Sequence, residues 1–295
     1  MSVPFGSVLT AMVTPFTEDG ALDLAAAQQL ATHLVEAGND GLVISGTTGE
    51  SPTTSDEEKD RLLRAVIEAV GDRAHVVAGV GTFDTAHTIE LARHAEKAGA
   101  SGVLVVTPYY SKPPQAGLIA HFGAVADATD LPAMLYDIPG RTGVPIDTDT
   151  LIRLAEHPRI VAVKDAKADL GATTRVLAAT DLAIYSGEDA LNLPLLAIGA
   201  VGVVSVVGHV CSPQFVAMVA AVERGDLAEA RRLNVAVLPA VTGIMTRAPG
   251  AIMAKAALEL LGVLPCRTTR LPLLDATQEQ LRVLRADLVA AGLIA

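Results

Sequence analysis

The sequence predicts an α/β fold: one closed (β/α)8 barrel of the TIM type with a C-terminal helical extension. Three observations carry that expectation. Short apolar runs recur along the 295 residues, nearly continuous in Val, Ile, Leu and Ala rather than alternating with polar residues. Strands buried on both faces read this way, as in parallel sheets covered by helices. Most runs are followed by an amphipathic segment, and the unit of strand, loop, helix and Gly returns about eight times, every 20–35 residues or so. Eight units favour a closed barrel over an open doubly wound sheet. The dinucleotide fingerprint that would support the open sheet is missing, since GVGTFD at 79–84 lacks the third glycine.

The expected strands are SVLTAMV (7–13), GLVISG (41–46), HVVAGVG (75–81), GVLVVTP (102–108), AMLYDI (133–138), IVAVKDA (160–166), LAIYSG (182–187) and GVVSVVG (202–208). Between them, DLAAAQQLATHLVEA (23–37) opens on the cap candidate Asp23 and closes at Gly38. Segment 55–70 opens on a capping-box pattern at Ser55, and segment 84–98 runs from Asp84 to Gly99. The stretch 193–208 approaches the apolar length of a short membrane span. Pro194, Gly199, Gly202 and Ser205 interrupt it, so it reads as a helix end, a turn and a buried strand. Residues 1–224 are expected to form the barrel. Residues 225–295 are expected to form an appended helical subdomain, with patterns at 226–245, 250–262 and 277–291.

Composition excludes several function classes. Hydrophobic residues make up 51% and charged residues 19%, enough apolar content to bury a large core and exclude disorder as the main state. There is no Trp, and there are only 4 Tyr and 5 Phe. Base stacking on aromatics therefore has little to work with, and a net charge of -11 repels phosphate backbones. No nucleic-acid or membrane partner is expected. Cys211 and Cys266 form neither a disulfide framework nor a metal spacing. The seven His residues also lack such spacing; most fall on helical patterns and read as surface residues, so no metal is expected. The first residues carry no basic segment followed by a continuous apolar run. A soluble cytoplasmic protein is the expectation.

Active sites of (β/α)8 barrels form at the C-terminal strand ends. The second strand ends in Gly46-Thr47-Thr48-Gly49-Glu50-Ser51, where tight turns let N–H groups converge on an anion; a plain turn into the next helix would also fit. The fourth ends in Thr107-Pro108-Tyr109-Tyr110, with two rings presented by a proline-rich loop or packed in an interface. The fifth ends in Tyr136-Asp137-Ile138-Pro139-Gly140-Arg141, whose Arg suits a carboxylate or simply sits in a surface turn. Lys164 ends the apolar sixth strand. Pointing inward it would be a desolvated, nucleophilic amine; otherwise it reaches water. The seventh and eighth strands end near Gly187, Glu188, Asp189 and Gly208, with the two acids read as helix N-cap charges. The four Tyr fall at strand ends, so the few phenols are expected to serve hydroxyl chemistry and contacts there.

Taken together, GTTGES (46–51), TPYY (107–110), YDIPGRTG (136–143), VKDA (163–166) and SGED (186–189) resemble the dihydrodipicolinate synthase family, within the N-acetylneuraminate lyase superfamily of class I aldolases. The resemblance runs from about residue 7 to 290, and PYYSKPPQ and DAKADL look like its actinobacterial branch. It implies condensation of pyruvate with L-aspartate 4-semialdehyde on the way to diaminopimelate and lysine, with no cofactor beyond a covalent imine. Lys164 would form that imine, Tyr136 would act as acid and base, and Thr47 would relay protons to Tyr110, which reaches in from a neighbouring subunit. The main-chain N–H groups of Thr47 and Thr48 would hold the pyruvate carboxylate, and Arg141 the semialdehyde carboxylate. Gly187 and Val204 would line the pocket by their backbone. A homotetramer, a dimer of dimers, is implied. Arg141 favours the synthase over sialic acid and keto-deoxy-sugar lyases, which share Lys164 and Tyr136; a catalytically idle barrel is a third reading. At the positions of the family's lysine-feedback site stand Asp56, Lys59, Phe83 and His87. Lys59 would repel a lysine effector, so weak or absent inhibition is expected.

Overall fold

Eight short parallel strands pair in sequence order, and the eighth returns to pair with the first, closing the sheet into a barrel. The structure is a computed structural model and describes residues 3–295. The strands are β1 (Val8–Ala11), β2 (Gly41–Ile44), β3 (His75–Gly79), β4 (Gly102–Val106), β5 (Ala133–Asp137), β6 (Ile160–Asp165), β7 (Ala183–Ser186) and β8 (Gly202–Ser205). Between them lie α1 (Leu24–Glu36), α2 (Asp56–Val70), α3 (Thr85–Ala98), α4 (Gln115–Asp127), the pair α5 (Pro139–Thr142) and α6 (Thr148–Leu154), α7 (Leu170–Ala179) and α8 (Asn192–Ile198). After β8 come α9 (Gly208–Glu223), α10 (Leu227–Met245), α11 (Gly250–Leu260) and α12 (Gln278–Ala290).

The strands are shorter than the apolar runs that predict them, for local reasons. The run at 202–208 stops pairing at Ser205 because the next two N–H groups, of Val206 and Val207, donate to the carboxylate of Asp189, each at 2.9 Å. The predicted helix starts match the caps. Asp23 accepts from the Ala26 N–H at 2.9 Å, and Ser55 and Glu58 form a full capping box. Thr277 and Gln280 form a second capping box that opens α12.

Strand parity divides the core in two. Leu9, Val43, Val77, Leu104, Met134 and Ala162 point inward and, with Phe5 and Val204, fill the barrel. The alternate residues, such as Val8, Leu42, Val76 and Leu135, face the helices in a larger outer core. This parity decides the chemistry as well, because it puts Tyr136 on the face of Met134 and Lys164 on the face of Ala162.

Two histidines depart from the surface reading: His121 and His209 are buried. The ring of His209 accepts from the Val13 N–H at 3.0 Å through Nε2 and lies 2.7 Å from the Val206 carbonyl through Nδ1. It thus ties β1's exit to the start of α9, and burial pushes its pKa down to about 4.

The stretch at 193–208 is α8, a turn at Gly199 and β8. No single helix among the described residues is long and apolar enough to cross a membrane; α10 and α11 would qualify only as a pair, and they are bent by 114°. α10 packs on α9 and α12, and α11 is buried along nearly its whole length.

Candidate active site

Lys164 sits where parity and register place it, near the end of β6, opposite Tyr136 of β5 on one side and Tyr185 of β7 on the other. It is 4% exposed, and its Nζ lies 4.2 Å from the centroid of the Tyr136 ring. Its amine makes no hydrogen bond or ion pair with any described residue. Burial pulls its pKa down to about 8, against the opposing pull of Asp189; Arg141 adds to the lowering and Glu188 opposes it. The side chain has room because residue 187 is glycine. A Cβ there would come within 2.8 Å of Lys164 Cγ and 3.0 Å of Cε.

Tyr136 is also buried, and desolvation raises its pKa while Arg141 opposes the rise. The phenol is therefore a held proton at neutral pH. Glu188 is half-buried, with its pKa raised chiefly by burial. Its charge is felt by both Lys164 and Tyr136.

A cavity of about 390 Å³ opens at this end of the barrel, lined among others by Thr47, Tyr109, Tyr110, Tyr136 and Arg141. Lys164, Gly187 and Val204 are not part of its lining; Lys164 joins it through Tyr136. Val204 lies in the sealed interior, paired with Leu9. Arg141 is exposed on the short helical turn α5, whose carbonyl ends are closed by Gly143. Thr47 is exposed, whereas Thr48 is 8% exposed. No hydrogen bond joins the hydroxyls of Thr47, Tyr136 and Tyr110 within the chain.

The loop carrying Thr47 and Thr48 is tightly wound. Ser45 and Glu50, on either side, both hold left-handed backbone, φ +58° and +54°. Such strain costs on the order of 1–3 kcal/mol per residue and persists only where the surroundings over-determine it. Ser45 fits against β3 because residue 79 is glycine, where a Cβ would meet the Ser45 carbonyl oxygen at 2.6 Å. Thr14 donates to the Gly49 carbonyl at 2.6 Å.

Tyr110 is the opposite case. It is 92% exposed, with left-handed backbone at φ +69°. Its neighbour Tyr109 packs edge-on to Phe83, ring centroids 5.5 Å apart, and Phe83 is itself exposed.

Two acids differ from the sequence reading. Asp189 caps nothing in its own turn. It is buried and accepts from Val206, Val207, Asn192 and Ser205, fixing the exit of β8. Glu188 makes no side-chain cap to the turn it precedes. Tyr185 also departs from the expectation for strand-end phenols: its hydroxyl accepts from the Phe5 N–H at 3.3 Å, at the N-terminal end of the barrel.

Sequence reasoning missed the supports beneath the site. Lys167 bridges to the buried Asp137 at 3.0 Å, which joins the ends of β5 and β6 just behind Tyr136 and Lys164. The VKDAK spacing carries that signal: with Lys164 inward, Asp165 faces outward and Lys167 lies past the strand end. Asp56, Lys59 and His87 do come together, with Asp56 2.9 Å from His87 and 3.9 Å from Lys59. Among the described residues, no group of three or more His, Cys, Asp or Glu is placed to hold a metal ion.

The model of the dihydrodipicolinate synthetase family matches residues 4–291. A 4-hydroxy-tetrahydrodipicolinate synthase of Kineococcus radiotolerans is 69% identical over 290 residues, covering 98% of this chain and 94% of that one. A 4-hydroxy-tetrahydrodipicolinate synthase 2 of Streptomyces coelicolor is 64% identical, covering 98% and 96%. A crystal structure of DHDPS from Cyanidioschyzon merolae with lysine bound superposes with a TM-score of 0.96 at 45% identity, covering 99% of this chain and 100% of that one. A closed barrel with a buried strand-end lysine beside a buried tyrosine, matched along almost its whole length by these relatives, places this chain in one group: it belongs to the dihydrodipicolinate synthetase family.

Proposed function

We propose that this barrel mouth performs the 4-hydroxy-tetrahydrodipicolinate synthase reaction, condensing pyruvate with L-aspartate 4-semialdehyde through an imine on Lys164. The observation that carries the reading is the Lys164 amine: buried, without a partner, its pKa down to about 8, against the ring of Tyr136. A fraction of that amine is free base near neutral pH, so it can attack the ketone of pyruvate. Tyr136 gives its proton to the departing hydroxyl, and water leaves as the C=N bond forms. The protonated imine is an electron sink; loss of a methyl proton yields the enamine. The enamine carbon attacks the aldehyde, whose oxygen takes a proton. The substrate's own amine then attacks the imine carbon, closes the ring and expels the Lys164 amine.

The main-chain N–H groups of Thr47 and Thr48 hold the pyruvate carboxylate. The Arg141 fork takes the second carboxylate at the rim. Gly187 leaves the Lys164 side chain its room beside the cavity, and Val204 packs in the barrel interior rather than in the cavity wall. Tyr110, exposed and held outward, completes the relay through Thr47 in a second copy's site, within a homotetramer built as a dimer of dimers. Two unpaired cysteines support a cytoplasmic setting.

Treatment with pyruvate and borohydride, followed by mass measurement, is expected to modify Lys164 alone; an unmodified Lys164 sinks the mechanism. A coupled assay offering aspartate 4-semialdehyde against N-acetylneuraminate and keto-deoxy sugars tests the substrate choice. Turnover confined to the sugars would replace the synthase by a lyase.

A further inference from the structure

The strained Gly46–Ser51 loop is held by the opposite end of the sequence. Glu50 and Lys255 are both 1% exposed at the side chain and form an ion pair. Lys255 comes from the middle of α11, where Cβ-bearing neighbours on all sides are buried. Its Nζ also donates to the Thr268 carbonyl at 2.7 Å and lies 4.2 Å from the centroid of the Phe16 ring. The second oxygen of Glu50 accepts from the Arg270 N–H at 3.0 Å. The Arg270 guanidinium stacks on the other contact of Phe16, 4.1 Å from its centroid, donates to the Thr53 carbonyl at 2.9 Å and pairs with Glu58 at 2.7 Å. Glu58 also caps α2. Two charged residues of the C-terminal segment thus grip both ends of the segment that follows Thr48.

We propose that the buried Glu50–Lys255 pair is a positioning device for the carboxylate-binding loop, so that α11 sets the affinity for pyruvate without touching it. The physical reason is the left-handed backbone at Glu50, the last residue of the turn that its own N–H closes on the Thr47 carbonyl at 3.1 Å. A non-glycine residue leaves that region when its restraints are removed. Releasing Glu50 therefore reorients the N–H groups of Thr47 and Thr48, three and two residues away. Burying two charges is costly unless each is paired, so a nearly solvent-free pair is retained for the geometry it imposes. The inference rests on the reading that these N–H groups hold the pyruvate carboxylate.

The test is Lys255→Met, measured as the whole chain. The pyruvate KM is expected to rise about tenfold while kcat stays within about threefold, the signature of lost ground-state binding. Amide exchange over residues 46–51 should quicken. Arg267→Ala is the control, because Arg267 bonds within the C-terminal segment, to Glu259 at 2.6 Å and the Ala276 carbonyl at 3.2 Å. It should lower the melting temperature and leave the pyruvate KM unchanged. Should Lys255→Met not fold, Glu50→Gln keeps the shape but drops the charge and leaves one acceptor for the two donors Lys255 and Arg270; KM should then rise about threefold, with faster loop exchange. An unchanged KM in the folded variants, or an equal rise in Arg267→Ala, overturns the proposal. If pyruvate and borohydride fail to modify Lys164 in the unaltered protein, the catalytic reading falls instead; normal trapping with an unchanged variant KM removes only the positioning role.

Discussion

Tyr136 and Tyr110 belong to one barrel mouth, yet their surroundings are opposite. Tyr136 is sealed on an inward strand position beside Lys164, with its proton held by burial. Tyr110 stands 92% exposed on a loop that makes little use of it. The barrel can complete the first position by itself, because strand register and parity supply every neighbour. The second has no such neighbours in the chain, and the proposed contact with another copy would supply them. The difference separates what one chain builds by itself from what a partner copy is proposed to add.

The largest effect should come from the sealed side. Tyr136→Phe is expected to lower kcat by about 10²–10⁴-fold, the usual worth of a positioned acid–base group, with pyruvate KM little changed. Stopped assays of purified variant and parent decide this, and a loss below about threefold would remove Tyr136 from proton transfer. Tyr110→Phe should cost about tenfold or more. Mixing Tyr110→Phe chains with Lys164→Ala chains, two weak or dead preparations, should restore part of the activity, since one mixed site then holds both wild-type groups. No recovery in mass-verified mixed oligomers would mean that each chain uses its own Tyr110.

A subtler probe is pH. The Lys164 pKa is lowered to about 8, and the free amine is the nucleophile of the proposed mechanism, so the rate of imine formation should rise with pH through about 8 and then level. Glu188 acts in the opposite direction to burial, holding the ammonium form. Glu188→Gln should therefore move the profile to lower pH; a shift to higher pH would show that Glu188 does not face the amine. The smallest response is expected from added lysine. Asp56 is already bonded to His87 and near Lys59, leaving little negative charge for an amine to seek. An inhibition constant below the millimolar range would contradict that.

Legibility in the sequence followed the range of the interactions. Helix caps at Asp23, Ser55 and Asp84 are short-range, and each appears where the pattern put it. The eight strands are legible for the same reason, although their ends are not. Ser205 ends β8 because Asp189, sixteen residues back, diverts the next two N–H groups. His209 and Tyr185 differ in kind from what their local patterns suggest. Burial of a polar group depends on a partner elsewhere in the chain, here Val13 and Phe5, and no local pattern announces it.

The sequence by itself determined the barrel, the residues at its strand ends and, by their joint resemblance, the chemistry expected of Lys164 and Tyr136. Periodicity and spacing are written along the chain, so they survive without coordinates. The tertiary structure decided that Lys164 is desolvated rather than solvent-borne, and that Glu50 meets Lys255 across 205 positions. Burial and ion pairing depend on which distant segments share a small volume, and folding alone sets that.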